Sequence, residues 1–172
     1  MLKVQIDQAR DFTSSEKAKL LDARALLERI LNSEEFKLRV INHTYKGAKT
    51  YVDNGGLSNE LIYAKIMTGA EVLKPDTDYT MNIDITIYTS SWWSRSTIGY
   101  TYPDTMRTWI NRRHYSYFTP LDVCGNILHE YLHKLGFGHA FNNTSTRRYS
   151  VPYAIGYLID ELSLRKNLTF CK

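Results

Sequence analysis

Residues 129–139 read His-Glu-Tyr-Leu-His-Lys-Leu-Gly-Phe-Gly-His, and no other stretch of the chain restricts its fold as tightly. His129 and His133 are four positions apart, which places both side chains on one face of a helix. Gly136 follows, and glycine is the residue best able to take left-handed backbone and end that helix. The chain can then bring His139 back toward the first two. Upstream, Thr119-Pro120-Leu121-Asp122 carries the marks of a helix start. It offers a hydroxyl cap, a proline for the first helical position and an acid near the positive helix end. The predicted helix runs from 119 to about 135. Leu121, Cys124, Leu128, Leu132 and Leu135 form its core face, while Gly125 and Asn126 leave room on the histidine side.

Three imidazoles converging from these positions make a site for one divalent ion, with zinc the expected metal and a fourth coordination position left open. Glu130 lies about 100° around the helix from His129, so it need not ligate the ion and is placed to act as general base. A bound zinc lowers the pKa of water to about 7 and polarises a carbonyl. By chance the five fixed positions would recur in roughly one chain of this composition in a hundred thousand, against roughly one in 150 for His-Glu-x-x-His alone. The competing readings are a satisfied, partly buried histidine cluster and a non-catalytic metal clip. His43 and His114 have no partner at ligand spacing and read as ordinary surface or loop residues.

The rest of the chain supplies strands and helices in alternation. Leu2 to Asp7 alternates apolar and polar, the pattern of a half-buried strand. Thr13 and Glu16 form a capping box ahead of a long helix to about residue 32. Phe36, Leu38, Val40 and Ile41 suggest a second strand, with a short helix as the alternative. Ser58 caps a helix that Gly69 closes, and Met81, Ile83, Ile85 and Ile87 mark a strand over 79–88. Short strands are expected at 97–102 and 106–111, and a last helix over 153 to about 166. Such alternation favours a layered α/β fold.

Composition sets bounds on function. The 172 residues suit one domain, and 43% apolar with 23% charged residues is ordinary for a globular protein. The net charge of +4 is mild and scattered. Arg107, Arg112 and Arg113 are the nearest thing to a cluster, so no nucleic-acid partner is expected. No apolar run is long enough for a membrane span, and Met1 to Gln5 lacks the apolar core of a signal peptide. Cys124 and Cys171 either pair or stand apart as small buried residues. Trp92-Trp93, in a Ser-rich loop, reads as core cover or cleft rim ahead of a ligand contact.

The stretch His129 to His139 resembles the extended zinc-binding signature of the metzincin clan of metallopeptidases, and the order of elements before it is similar to a metzincin N-terminal subdomain. The resemblance implies a mixed, mostly parallel five-stranded sheet with an antiparallel edge strand, a backing helix and an active-site helix. It divides the chain at about 138 into an N-terminal subdomain and a small C-terminal one with a final helix. It implies a zinc endopeptidase with ligands His129, His133 and His139 and general base Glu130. It also implies an edge strand within Ser96 to Tyr102 that pairs with an extended protein or peptide substrate. Ile98, Gly99, Tyr100 and Tyr153 are the expected substrate contacts.

Three departures stand out. No methionine follows Met106, so the clan's methionine turn is missing and Ser150-Val151-Pro152-Tyr153 takes its place. The position of the tyrosine found in some families holds Ala154, and Ala140 follows the third histidine. The alternatives are a zinc-bearing peptide-binding protein with little turnover and another zinc amide hydrolase such as an aminopeptidase. The chain is expected to act as a monomer. The resemblance favours a secreted or periplasmic setting.

Overall fold

Leu2 and Val4 anchor the first strand, β1 (Lys3–Arg10), in the core through one face of the alternating segment. The capping box then starts α1 (Ser14–Leu31): the Thr13 hydroxyl accepts from the Glu16 amide at 3.3 Å, and the Glu16 carboxylate accepts from the Thr13 amide at 2.7 Å. Leu20, Ala23, Leu27, Ile30 and Leu31 are the buried stripe of this helix. In the computed structural model, residues 1–91, 96–102 and 104–169 are described, with side chains through 162. Trp92, Trp93 and Cys171 lie outside that set.

Residues 36–41 are helical. α2 (Glu34–Ile41) is capped by the Ser33 hydroxyl, which accepts from the Phe36 amide at 3.2 Å, with Glu34 and Glu35 in its first turn. Phe36 and Val40, four apart, are fully buried, whereas Leu38 is 49% exposed, so the helical period describes the segment and the strand period does not. Strand β1 also has no need of a partner there. Its outer edge is satisfied by α1 side chains: Asn32 exchanges two 2.8 Å bonds with Leu2, Glu28 accepts from the Val4 amide at 2.7 Å, and Arg24 donates to the Val4 carbonyl at 2.6 Å. Covering an edge with polar side chains is one way sheets end.

After α3 (Asn59–Thr68) the sheet is completed by β2 (Thr80–Tyr88), β3 (Gly99–Thr101) and β4 (Arg107–Asn111). Its order is β1-β2-β4-β3, four strands among the described residues. The pairs β1–β2 and β2–β4 are parallel, with Val4 opposite Met81 and Ile85 opposite Thr108. β3 runs antiparallel to β4 and forms the far edge. Met81, Ile83, Ile85 and Ile87 point into the core. The fold is thus mixed α/β with a mostly parallel sheet and one antiparallel edge, a strand short of the five expected.

Two of the three arginines closest to forming a cluster are held in ion pairs. Arg107 approaches Asp84 at 3.5 Å, and Arg112 approaches Glu16 at 3.0 Å. Among the described residues no helix is long and apolar enough to cross a membrane. A short α4 (Arg112–Tyr117) leads into α5 (Pro120–Lys134), and α6 (Val151–Thr169) packs across α5. That crossing is close at Gly125 and Gly156, where a Cβ on either would sit about 3.4–3.5 Å from the other's carbonyl oxygen. Cys124 is a free, buried thiol that donates to the Ala23 carbonyl at 3.0 Å, and burial pushes its pKa up to about 12.

Candidate metal centre

Helix α5 begins and ends as its sequence requires. The Thr119 hydroxyl accepts from the Asp122 amide at 3.2 Å, and the Asp122 carboxylate accepts from the Thr119 amide at 2.7 Å. At the other end Gly136 takes a φ of +89°. The Phe137 amide donates to the Leu132 carbonyl at 3.1 Å and the Gly136 amide to the His133 carbonyl at 2.8 Å. This paired 6→1 and 5→2 pattern closes the helix and reverses the chain. Phe137 is buried by the reversal, and His139 arrives two residues later beside the helix face it had left.

The ligand atoms of His129, His133 and His139 all lie within 4.8 Å of one another. The Nε2 atoms of His129 and His133 are 3.2 Å apart. Each ring also meets a backbone carbonyl. His133 Nδ1 is 2.8 Å from the Phe137 oxygen, and His139 Nδ1 is 3.0 Å from the Ala140 oxygen. His129 bonds to Pro152, which has no amide hydrogen, so its carbonyl is the acceptor. A ring nitrogen that donates to a carbonyl leaves the opposite nitrogen as a lone-pair donor, the arrangement that orients metal-bound histidines. Burial, followed by the neighbouring imidazoles, pushes His129 down to about 3, so this ring is neutral. The three histidines could therefore hold a metal ion, and neutral nitrogen donors suit zinc.

Glu130 is only 4% exposed, and one of its carboxylate oxygens is buried with no hydrogen-bond partner. The carboxylate accepts from Thr101 on β3, whose hydroxyl lies 3.0 Å from that of Thr108 on β4. Burial pushes Glu130 up to about 7 against the opposing pull of Thr101 and Lys134. Lys134, one turn further along α5, is also buried, with its ammonium 4.0 Å from the Glu71 carboxylate and 3.5 Å from the Asn82 carbonyl. A chain of buried ionisable groups thus runs from Glu130 through Lys134 to Glu71.

Two cavities flank this centre and share His129, Glu130 and Tyr153 as walls. One, of about 720 Å³, is bounded by Val72, Leu73, Tyr100, Tyr102, Met106 and Phe137. The other, of about 680 Å³, holds Ile98, Asn126, Tyr157 and the carboxylates of Asp122 and Asp160. Gly99 on β3 borders both, and β3 is bonded only to β4 among the described residues. All four expected substrate contacts therefore reach the cleft: Ile98 in the second cavity, Tyr100 in the first, Gly99 and Tyr153 in both.

The segment expected to form a tight turn is instead a helix junction. A 3₁₀ turn at Arg147–Tyr149 leads through Ser150 directly into α6, with Val151 and Pro152 in its first turn. Proline is tolerated there because first-turn amides have no helical acceptor. The Tyr153 ring then packs 4.6 Å from His129 and 4.7 Å from His139, centroid to centroid, and supplies the floor. His43 stacks on Tyr51 at 4.1 Å, and neither it nor His114 is grouped with the other three histidines.

Sequence reasoning placed Thr101 in the expected edge strand without a role of its own and missed Lys134, Glu71 and Arg147. Only Lys134 carried a signal, being four residues beyond Glu130 and so on the same helix face. A scan of protein families finds no match to the chain, and a search of curated proteins finds no significant one.

Proposed function

We propose that the chain is a zinc-dependent endopeptidase of the metzincin kind. His129, His133 and His139 hold the metal. Zinc supplies, when bound, Lewis-acid polarisation of the scissile carbonyl and a more acidic water. Glu130 takes the proton from the attacking water and passes it to the leaving amine. One of its oxygens has no hydrogen-bond partner, and Thr101 donates to the carboxylate. The substrate lies extended along the outer edge of β3, held by backbone hydrogen bonds.

The observation that carries this reading is the convergence of three imidazoles, each anchored by a backbone carbonyl, beside a buried carboxylate that ligates nothing. A closed structural clip has no use for that carboxylate. Cavities on both sides of the centre favour cleavage within a chain over an aminopeptidase, which needs one side blocked.

The second reading, a zinc-bearing peptide-binding protein with little turnover, draws on the replacement of the methionine turn by a helix start at Val151. Casein hydrolysis by zinc-loaded parent and zinc-loaded Glu130→Ala separates the two. The proposal expects cleavage by the parent and a loss of roughly 100-fold or more in the variant. Equal rates in both would remove the hydrolase reading.

A further inference from the structure

Among the cations that line the cleft, one packs on an aromatic ring beside the metal centre and takes no part in the reaction above. The guanidinium carbon of Arg147 sits 4.6 Å from the Tyr153 ring centroid, and that ring lies against His129 and His139. Arg147 is thus one aromatic ring away from the metal centre, and it borders both cavities. Its backbone is fixed by the 3₁₀ turn. The Arg147 amide donates to the Thr144 carbonyl at 3.2 Å, and the Arg147 carbonyl accepts from the Ser150 amide at 3.1 Å and the Ser150 hydroxyl at 2.8 Å. Ser150 is fully buried, and the Val52 amide ties Tyr149 in place at 2.9 Å.

The charge itself is unmatched. Among the described residues no carboxylate comes within 4.0 Å of this guanidinium, although Arg10, Arg24, Arg39, Arg107 and Arg112 all have one. The Arg147 Nε is buried and has no hydrogen-bond partner. One guanidinium donor goes to the Tyr153 side chain, the remaining N–H groups are left for an anion, and two parallel N–H donors fit a carboxylate. Asp122 and Asp160 make the second cavity acidic. The first lacks those two carboxylates, so a substrate anion meets less repulsion on that side.

We propose that Arg147 is a specificity residue that binds a carboxylate of the peptide substrate, close to the scissile bond and on the side of the 720 Å³ cavity. This assignment rests on the peptidase reading for its substrate class. The carboxylate comes from an internal Asp or Glu side chain or from a free C-terminus, and both present the same planar acceptor.

The test measures binding, so it does not depend on turnover. Zinc-loaded Glu130→Gln is titrated by fluorescence anisotropy with three labelled peptides of one sequence: an internal Glu with an amidated C-terminus, Gln in its place with an amidated C-terminus, and Gln with a free C-terminus. Arg147 requires at least one carboxylate peptide to bind roughly 10-fold or more tightly than the doubly neutral one. Whichever carboxylate gains affinity identifies the source. Adding Arg147→Gln brings the peptides within about 2-fold of each other, and Arg147→Lys, which keeps charge but not the fork, falls between. Zinc content and melting temperature of each variant are matched to the parent's, and where Arg147→Gln does not fold the Lys variant decides. Equal affinity for all three peptides, a preference that survives the Arg147 substitutions, or no binding at all overturns the assignment. Cleavage of casein by the parent is scored separately, so a chain that prefers carboxylate peptides yet cleaves nothing loses the hydrolase reading and keeps Arg147 as an anion anchor.

Discussion

Replacing Gly136 by alanine strains the turn that returns His139 to the site. The backbone there has a φ of +89°, where an L-residue pays about 1–2 kcal/mol. An added Cβ would also lie 3.2 Å from Val72 Cγ2, closer than ordinary van der Waals contact. The smaller entropy of the unfolded alanine chain offsets part of this, about 0.4–1 kcal/mol. The two backbone effects leave roughly 0–1.6 kcal/mol, and displacing Val72 from its rotamer adds about 0.5–1.5 kcal/mol. The net expectation is a loss of about 1–2 kcal/mol, or roughly 2–8 °C in melting temperature for a domain of this size. The strain has two outlets. If the turn holds, the loss appears in the stability of the metal-free protein. If the turn relaxes, it appears as zinc affinity weakened by roughly 5–30-fold, because binding must restore the strained backbone. Chemical denaturation with and without zinc, together with a chelator competition, measures both outlets. Gly138→Ala is the control: no atom lies within 4 Å of its Cβ and its φ is not left-handed, so its effect stays within about 0.5 kcal/mol. Gly136→Ala that matches the parent in stability and zinc affinity alike would refute the reasoning.

Two further outcomes follow from the polar groups around Glu130. Thr101→Val removes a hydroxyl that donates to the buried carboxylate; hydrogen bonds to charged groups are worth about 1.5–3 kcal/mol, so kcat/KM on a peptide substrate falls by roughly 10–100-fold with zinc content unchanged. Unaltered kcat/KM would remove Thr101 from the account. Burial raises Glu71 from an ordinary 4.5 to about 7, so its ionisation favours the unfolded chain and its contribution is lost as pH climbs from 4.5 through 7. Relative to Glu71→Gln, the metal-free parent therefore loses about 3 kcal/mol of stability between pH 4 and pH 8, as followed by urea unfolding, and a pH-independent difference would contradict the burial argument.

What the sequence made legible is what short-range spacing encodes. The caps at Thr13, Ser58 and Thr119, the glycines that close α3 and α5, and the alternation of β2 each act within a few residues, and the structure has them all. Residues 36–41 failed because four apolar residues fit two periods at once. The choice was made by the Ser33 cap and by α1 side chains covering the outer edge of β1, a contact across some 20–30 positions. At the site, the histidines and Glu130 share one local motif. Thr101, Glu71 and Arg147 reach it from elements up to 59 positions away from Glu130 in sequence, and no spacing rule connects them. The helix start beneath the histidines was hidden for a related reason: Pro152 reads equally as a turn residue and as a first-turn helical residue.

Metal content, combined with the X-ray absorption spectrum of the bound ion, tests the centre most directly. Purified without chelator, the chain should carry one zinc, with three imidazole nitrogens and one solvent oxygen at about 2.0–2.1 Å, and His139→Ala should lose the ion or exchange its third nitrogen for oxygen. Zinc well below one per chain, or a shell filled by four side chains, would contradict an open three-histidine site.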